Sequence, residues 1–185
     1  MKSVKGKVLG LLSLIVMSIL LVTWVYPFSP VSVYKNINIT TDPYSARNHT
    51  EYLNNLQKLY DESSPDDVTT IVLQNISFSI YEQDWLVKND TFKMNKGDLD
   101  KMLMRMKNAR AGLLSLTKQE EYSWEQRSYL LTSIENLLSM EETIEGMMDD
   151  SWEKRTVLKR QFQNLHGGYT SSLMYFTSFY SATQR

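Results

Sequence analysis

Few residues in this chain have the types that carry chemistry: two histidines, His49 and His166, and a run of acids formed by Glu141, Glu142, Glu145, Asp149 and Asp150. An imidazole titrates near neutral pH and ligates metals, and a carboxylate pair can divide acid and base roles between its members. Spacing argues against most of these uses. Neither histidine belongs to an HExxH zinc motif or to the ExxH pairs of di-iron helical proteins. His166 precedes Gly167 and Gly168 as in some esterase oxyanion loops, but no GxSxG nucleophile elbow accompanies it. The simpler assignment is an imidazole over the last carbonyls of a helix, ahead of a glycine cap. His49 is expected at the surface.

Glu142 and Glu145 could share a helix face as ligands or as an acid and base pair. Lys154 and Arg155 follow closely, however, and are expected to neutralise the acids in a solvated corner. Calcium loops and phosphate-cradling glycine runs are missing from the sequence. With no cysteine, disulfides, CxxC zinc sites, thiol nucleophiles and cysteine-borne lipids are excluded. No catalytic, cofactor-binding or metal-binding residue is therefore expected, and the reading is of a protein that is not an enzyme.

Binding surfaces are the other route to function. Of ten methionines, Met102 and Met106 fall on an apolar seam, whereas Met104 lies off it and is a candidate contact residue. The aromatic C-terminal segment offers Tyr169, Tyr175 and Tyr180, whose rings could either complete a core or face a partner. Gly167 and Gly168 read as a helix break and a hinge.

The element that must place all of these is the N-terminal segment. Lys2, Lys5 and Lys7 precede nineteen uncharged, mostly apolar residues, 8–26. At about 1.5 Å per residue a helix of that length approaches the ~30 Å hydrocarbon layer. Trp24 and Tyr26 stand at its far end, where amphipathic rings favour the interface, and Pro27 and Pro30 stop it. A cleaved signal peptide would need small residues after the apolar run, but the first alanine is Ala46. The expectation is a signal-anchor, with the basic residues 1–7 inside, 8–28 in the membrane, 29–42 as a spacer and 43–185 outside the cytoplasm.

In the outer region, Asp42-Pro43 and Ser64-Pro65 are helix starts, predicting helices over about 43–61 and from 65 through Ile80; the β-branched content of Val68 to Ile80 also suits a strand, but the cap favours helix. Residues 83–96 read as irregular or as a small hairpin turning at Asn89-Asp90. Asn95 and Asp98 form a capping box ahead of Leu99, Met102, Met106, Ala109, Leu113 and Leu116. Thr117 and Glu120 suggest a second box, opening the longest helix, whose apolar face includes Trp124, Leu130, Leu131, Ile134, Leu137, Leu138, Ile144 and Met148. Asp149, Asp150 and Ser151 should end it and cap the next, carrying Trp152, Leu158, Phe162 and Leu165 inward. The fold class is mainly α: a transmembrane helix plus an antiparallel bundle of five to six helices.

Setting aside Lys2, Lys5 and Lys7 leaves 17 basic against 21 acidic residues, a net charge of −4 for the remainder. Such a surface disfavours nucleic acid and other polyanions and points to a protein partner or self-association. The functional expectation is a single-pass interaction, sensor or assembly module of the cell envelope. Lack of cysteine favours a bacterial envelope. Sequons at Asn38, Asn48, Asn75 and Asn89 favour a viral or eukaryotic type II glycoprotein instead. A carboxylate-dependent envelope hydrolase is the remaining alternative.

Overall fold

A computed structural model describes residues 2–62, 68–118 and 122–184. The described chain is mainly helical. Its elements, in order, are α1 (Lys2–Val25), β1 (Ile37–Thr40), α2 (Pro43–Glu62), α3 (Val68–Ile80), α4 (Asp84–Val87), β2 (Thr91–Met94), α5 (Lys96–Leu116), α6 (Trp124–Asp149) and α7 (Arg155–Thr183).

Helix α1 is apolar and exposed along nearly its whole length. The stretch Gly6–Val25 is long and apolar enough to cross a membrane, and only 6% of its most apolar window is buried against the rest of the protein. Its last turn is different: Thr23 is buried, and Pro27, Phe28 and Ser29 beyond it are buried too.

The segment 29–42, expected to be a spacer, is instead part of the folded domain. Ile37 and Ile39 alternate with Asn38 and Thr40, and this period of two puts the isoleucines into the core. The antiparallel partner of β1 is β2, with Ile37 opposite Met94 and Ile39 opposite Phe92. Thr41 then donates to the Trp85 carbonyl at 2.6 Å. Residues 83–96 accordingly hold no local hairpin: they form the single turn of α4 and a strand whose partner lies some fifty residues earlier. The β-branched residues of that early stretch are the physical reason.

Helix α2 starts where Asp42 predicts, its carboxylate accepting from the Ser45 amide at 2.9 Å. The candidate start at Ser64 and Pro65 lies outside the described residues, but α3 is helical despite its β-branched content. The box at Asn95 is present: its side chain accepts from the Gly97 and Asp98 amides, and Asp98 accepts from the Asn95 amide. All six apolar residues of the predicted seam are buried on α5.

The box expected at Thr117 is not a helix start. Thr117 is the C-cap of α5, and α6 is opened six residues later by Ser123, whose box partner is Gln126; Glu120 lies outside the described residues. The longest helix is also a different one, the 29-residue α7. Gly167 and Gly168 do not break it and are no hinge between helices. They lie inside α7, where Gly168 lets it approach α6 closely: a Cβ there would sit 3.0 Å from the Met140 side chain.

Packing directions follow from side-chain pairs. Gly168 lies against Met140, and Gln126 donates to the Ala182 carbonyl, so α6 and α7 run antiparallel. Helices α5 and α6 do the same, joined by Lys107 to Glu145 and by Arg110 to Glu141. Helix α2 runs in the same direction as α7, with His49 near Thr170 and the Tyr60 ring tilted against that of Tyr180. The aromatic face of α7, including Phe162, Tyr169, Phe176 and Tyr180, is fully buried and forms the centre of the core.

Candidate functional site

Three features stand out from the helical scaffold: the junction where α1 meets the domain, a buried pair of histidines, and an exposed apolar ridge on α6.

At the junction, the chain leaving α1 doubles back. The Val33 amide donates to the Thr23 hydroxyl at 3.0 Å, which brings residue 33 level with the last turn of α1. A helix end leaves carbonyls without partners. Here the guanidinium of Arg155, at the start of α7, donates to the Trp24 carbonyl at 2.7 Å and to the Thr23 carbonyl at 3.4 Å. A cation at that end also complements the helix dipole. Trp152 packs edge-to-face against Tyr26 with ring centres 5.7 Å apart, so it is half-exposed beside α1 rather than buried with Leu158 and Phe162 as predicted. Arg155 therefore serves α1 and not the acidic residues of α6. Among the basic residues expected at the start of the chain, the side chain of Lys7 is exposed; those of Lys2 and Lys5 lie outside the described residues. Trp24 is exposed and Tyr26 half-buried.

The histidines were misplaced by sequence reasoning. His49 is fully buried rather than exposed, and His166 is buried in mid-helix rather than at a helix end. Their rings meet at 5.8 Å. His49 bonds through Nε2 to the Tyr81 carbonyl at 2.9 Å, and His166 through Nε2 to the Leu86 carbonyl at 3.1 Å. Since a carbonyl only accepts, Nε2 carries the proton in both rings. Nδ1 of His49 faces the Thr170 hydroxyl at 3.2 Å. Burial pushes the His49 imidazole down to about 4 and lowers that of His166 as well. Trp85 packs edge-on to His166, and the Tyr81 hydroxyl bonds Ser172 at 2.7 Å, with burial pushing that phenol up. Two neutral rings that clamp α2 and α7 onto the α3–α4 connection act as structural hydrogen-bond donors.

The signal for His49 was in the sequence. Ala46, His49, Leu53, Leu56 and Tyr60 recur at alternating steps of three and four, so His49 falls on the buried face of α2. The phase of Leu158, Phe162, Leu165, Tyr169, Leu173 and Phe176 likewise continues across the glycine pair. That phase buries Tyr169 and Tyr180, so neither belongs to a partner surface; Tyr175 is half-buried and Met104 is exposed.

The acids do not converge. Glu141 is buried and held by Arg110 through both carboxylate oxygens, at 2.6 and 3.0 Å. Glu145 pairs with Lys107 at 2.6 Å, and Glu142 is exposed. Their neutralisation comes from α5, not from Lys154 and Arg155. Among the described residues no cluster of three or more His, Asp or Glu side chains could hold a metal ion.

The ridge consists of Trp124, Leu131 and Leu138, spaced by seven along α6 and all exposed, Trp124 at 84%. All three were expected in the core. The core phase of α6 is instead Leu130, Ile134, Leu137, Met140, Ile144 and Met147, so the ridge is offset from it by about one residue. Leu114 of α5 is exposed as well, and the Lys107–Glu145 and Arg110–Glu141 pairs put it roughly level with Leu138 along the helices.

No protein-family model, no curated protein and no solved structure matches the chain.

Proposed function

We propose that this protein is a single-pass membrane protein, N-terminus inside, whose extracytoplasmic helices form a bundle that acts as a non-enzymatic interaction, sensor or assembly module of the cell envelope. The observation that carries the reading is the combination of α1, which exposes its apolar side chains from Val8 to Leu21, with an apolar ridge on α6 that is exposed among the described residues. A helix that is apolar all round and unburied is soluble only in lipid; exposed apolar patches mark interaction sites, and tryptophan is enriched where such sites bind most strongly. The buried histidines and the paired acids are accounted for by packing.

The test has two parts. Protease added to intact cells should remove the domain and leave an α1-sized fragment. A photo-crosslinking residue at Leu131 or Leu138 should give a discrete adduct that one at exposed Lys159 does not. Full protection from protease refutes the topology, and identical adducts at all three positions refute the ridge.

A second reading has an observation of its own. Asn38 on β1 and Asn89 beyond α4 are exposed in extended or loop backbone, as glycan acceptors require, while Asn48 and Asn75 lie inside helices. This favours a viral or eukaryotic glycoprotein, in which a glycosidase would shift the mass.

A further inference from the structure

We infer that the base of the domain is seated in the membrane interface, so that Val31, Val33, Tyr34 and Trp152 contact lipid headgroups and upper acyl chains while α1 spans. The inference rests on the membrane reading of α1 and adds a second, non-spanning contact with the same bilayer.

The geometry leaves little freedom. Residue 33 is hydrogen-bonded to Thr23, and Thr23 lies within the apolar span Gly6–Val25. If that span occupies the hydrocarbon layer, the loop carrying Val31, Val33 and Tyr34 reaches the level of its outer boundary. Trp152 arrives at the same level from the α6–α7 turn by stacking on Tyr26, and Arg155 clasps the carbonyls of residues 23 and 24. Two separate parts of the domain are thus tied to the last turn of α1.

At that level the surface is apolar where an aqueous surface would be polar. Val31 is 51% exposed, Val33 61%, Tyr34 66% and Trp152 53%. Together with Trp24 and Tyr26 they supply the tryptophan and tyrosine rings that settle at membrane interfaces, next to aliphatic side chains that enter slightly deeper. Arg155, Lys154 and Lys35 border them and suit the phosphate level, but Asp149, Asp150 and Glu153 stand nearby, so the charge is mixed. The seat is therefore driven by apolar and aromatic burial and requires no anionic lipid.

The four tryptophans provide the test. Trp85 is buried in the core and is kept throughout as a constant background. Three full-length variants retain, besides Trp85, only Trp24, only Trp152 or only Trp124, the others becoming phenylalanine; a fourth retains Trp85 alone. Each is reconstituted into phosphatidylcholine vesicles with brominated acyl chains, which quench only what touches them. Trp124 stands at the far end of α6, about 37 Å along the helix axis from Asp149. Loss of emission from Trp24 and from Trp152, with Trp124 unchanged, is the expected result. Quenching of Trp24 alone, with Trp152 open to aqueous iodide, overturns the seat and leaves the anchor intact. An unquenched Trp24 removes the anchor and the inference together, and quenching of Trp124 shows that the domain lies on another face.

Discussion

The buried histidines make the stability of this fold sensitive to mild acid. In the folded protein, burial holds the His49 imidazole at about 4, against 6.5 for the exposed group. Between those values the unfolded chain binds a proton that the folded one refuses, so stability present above pH 6.5 is lost as pH falls toward 4. At about 1.4 kcal/mol per pH unit the full gap is worth about 3 kcal/mol, of which about 2 kcal/mol is gone by pH 5. His166, lowered by its own burial and partly restored by its hydrogen bond to the Leu86 carbonyl and by Asp42, adds to the loss in the same direction. The tilted ring of Tyr81 and the Thr170 hydroxyl, the other groups facing His49, stay neutral over this range.

Urea unfolding of the protein in nanodiscs, compared at pH 7.5 and pH 5, isolates the effect because most carboxylates are still ionised at the lower pH. The His49→Gln variant keeps a donor for the Tyr81 carbonyl but cannot titrate. It should be less stable at pH 7.5 yet lose about 2 kcal/mol less than the parent on acidification. The His49 ring resonances should also remain those of the neutral form down to about pH 5. Equal losses in parent and variant, or a ring that titrates near 6.5, would refute the argument.

Other substitutions probe the packing. Gly167→Ala meets no atom within 4 Å and should raise stability by about 0.5–1 kcal/mol through helix propensity, whereas Gly168→Val must displace Met140 and should lower the melting temperature. Arg110→Ala leaves the buried Glu141 carboxylate without its partner and should cost about 3 kcal/mol, whereas Lys107→Ala at the solvent-screened pair with Glu145 should cost much less, both read by urea unfolding. Arg155→Ala should expose the 26–36 segment to limited proteolysis in nanodiscs while the core melts within about 1 kcal/mol of the parent. If glycans are added, peptide mapping should find them at Asn38 and Asn89, with Asn48 and Asn75 bare.

Much of the helical content was readable, and the errors share one physical form. The caps at Asp42 and Asn95 and the seam from Leu99 to Leu116 are local features, carried by residues three or four apart, and each was legible. What failed was weighing a local signal against a longer phase. Gly167 and Gly168 look like a stop, but a helix held by tertiary packing tolerates two glycines when its apolar phase runs on, as it does from Leu158 to Tyr180. His49 looked polar and hence external, although its position on the α2 seam outweighs its type once a carbonyl and a hydroxyl are supplied by other segments. The β1–β2 pairing was invisible for another reason: each strand is four residues long, and the partners are joined by 50 residues. Trp124, Leu131 and Leu138 were merged with the true core face because the two phases differ by a single step.

That offset bears on how the domain would meet a partner. A flexible spacer would let the ridge sample every direction above the membrane, so a partner would have to pay for orienting it. Here the route from α1 to the domain contains a buried proline and phenylalanine, a clasped helix end and a strand already committed to the core. Orientation relative to α1 is thus set by these contacts and, on the membrane reading proposed above, the ridge on α6 would be presented at a defined height and azimuth. A partner complementary to it gains by not ordering the domain, a saving that grows with the number of degrees of freedom the spacer would otherwise hold. It follows that a Gly-Ser insertion between Tyr26 and Pro27 should weaken a membrane-bound partner far more than a soluble fragment of the same partner, since only the former needs the domain correctly aimed.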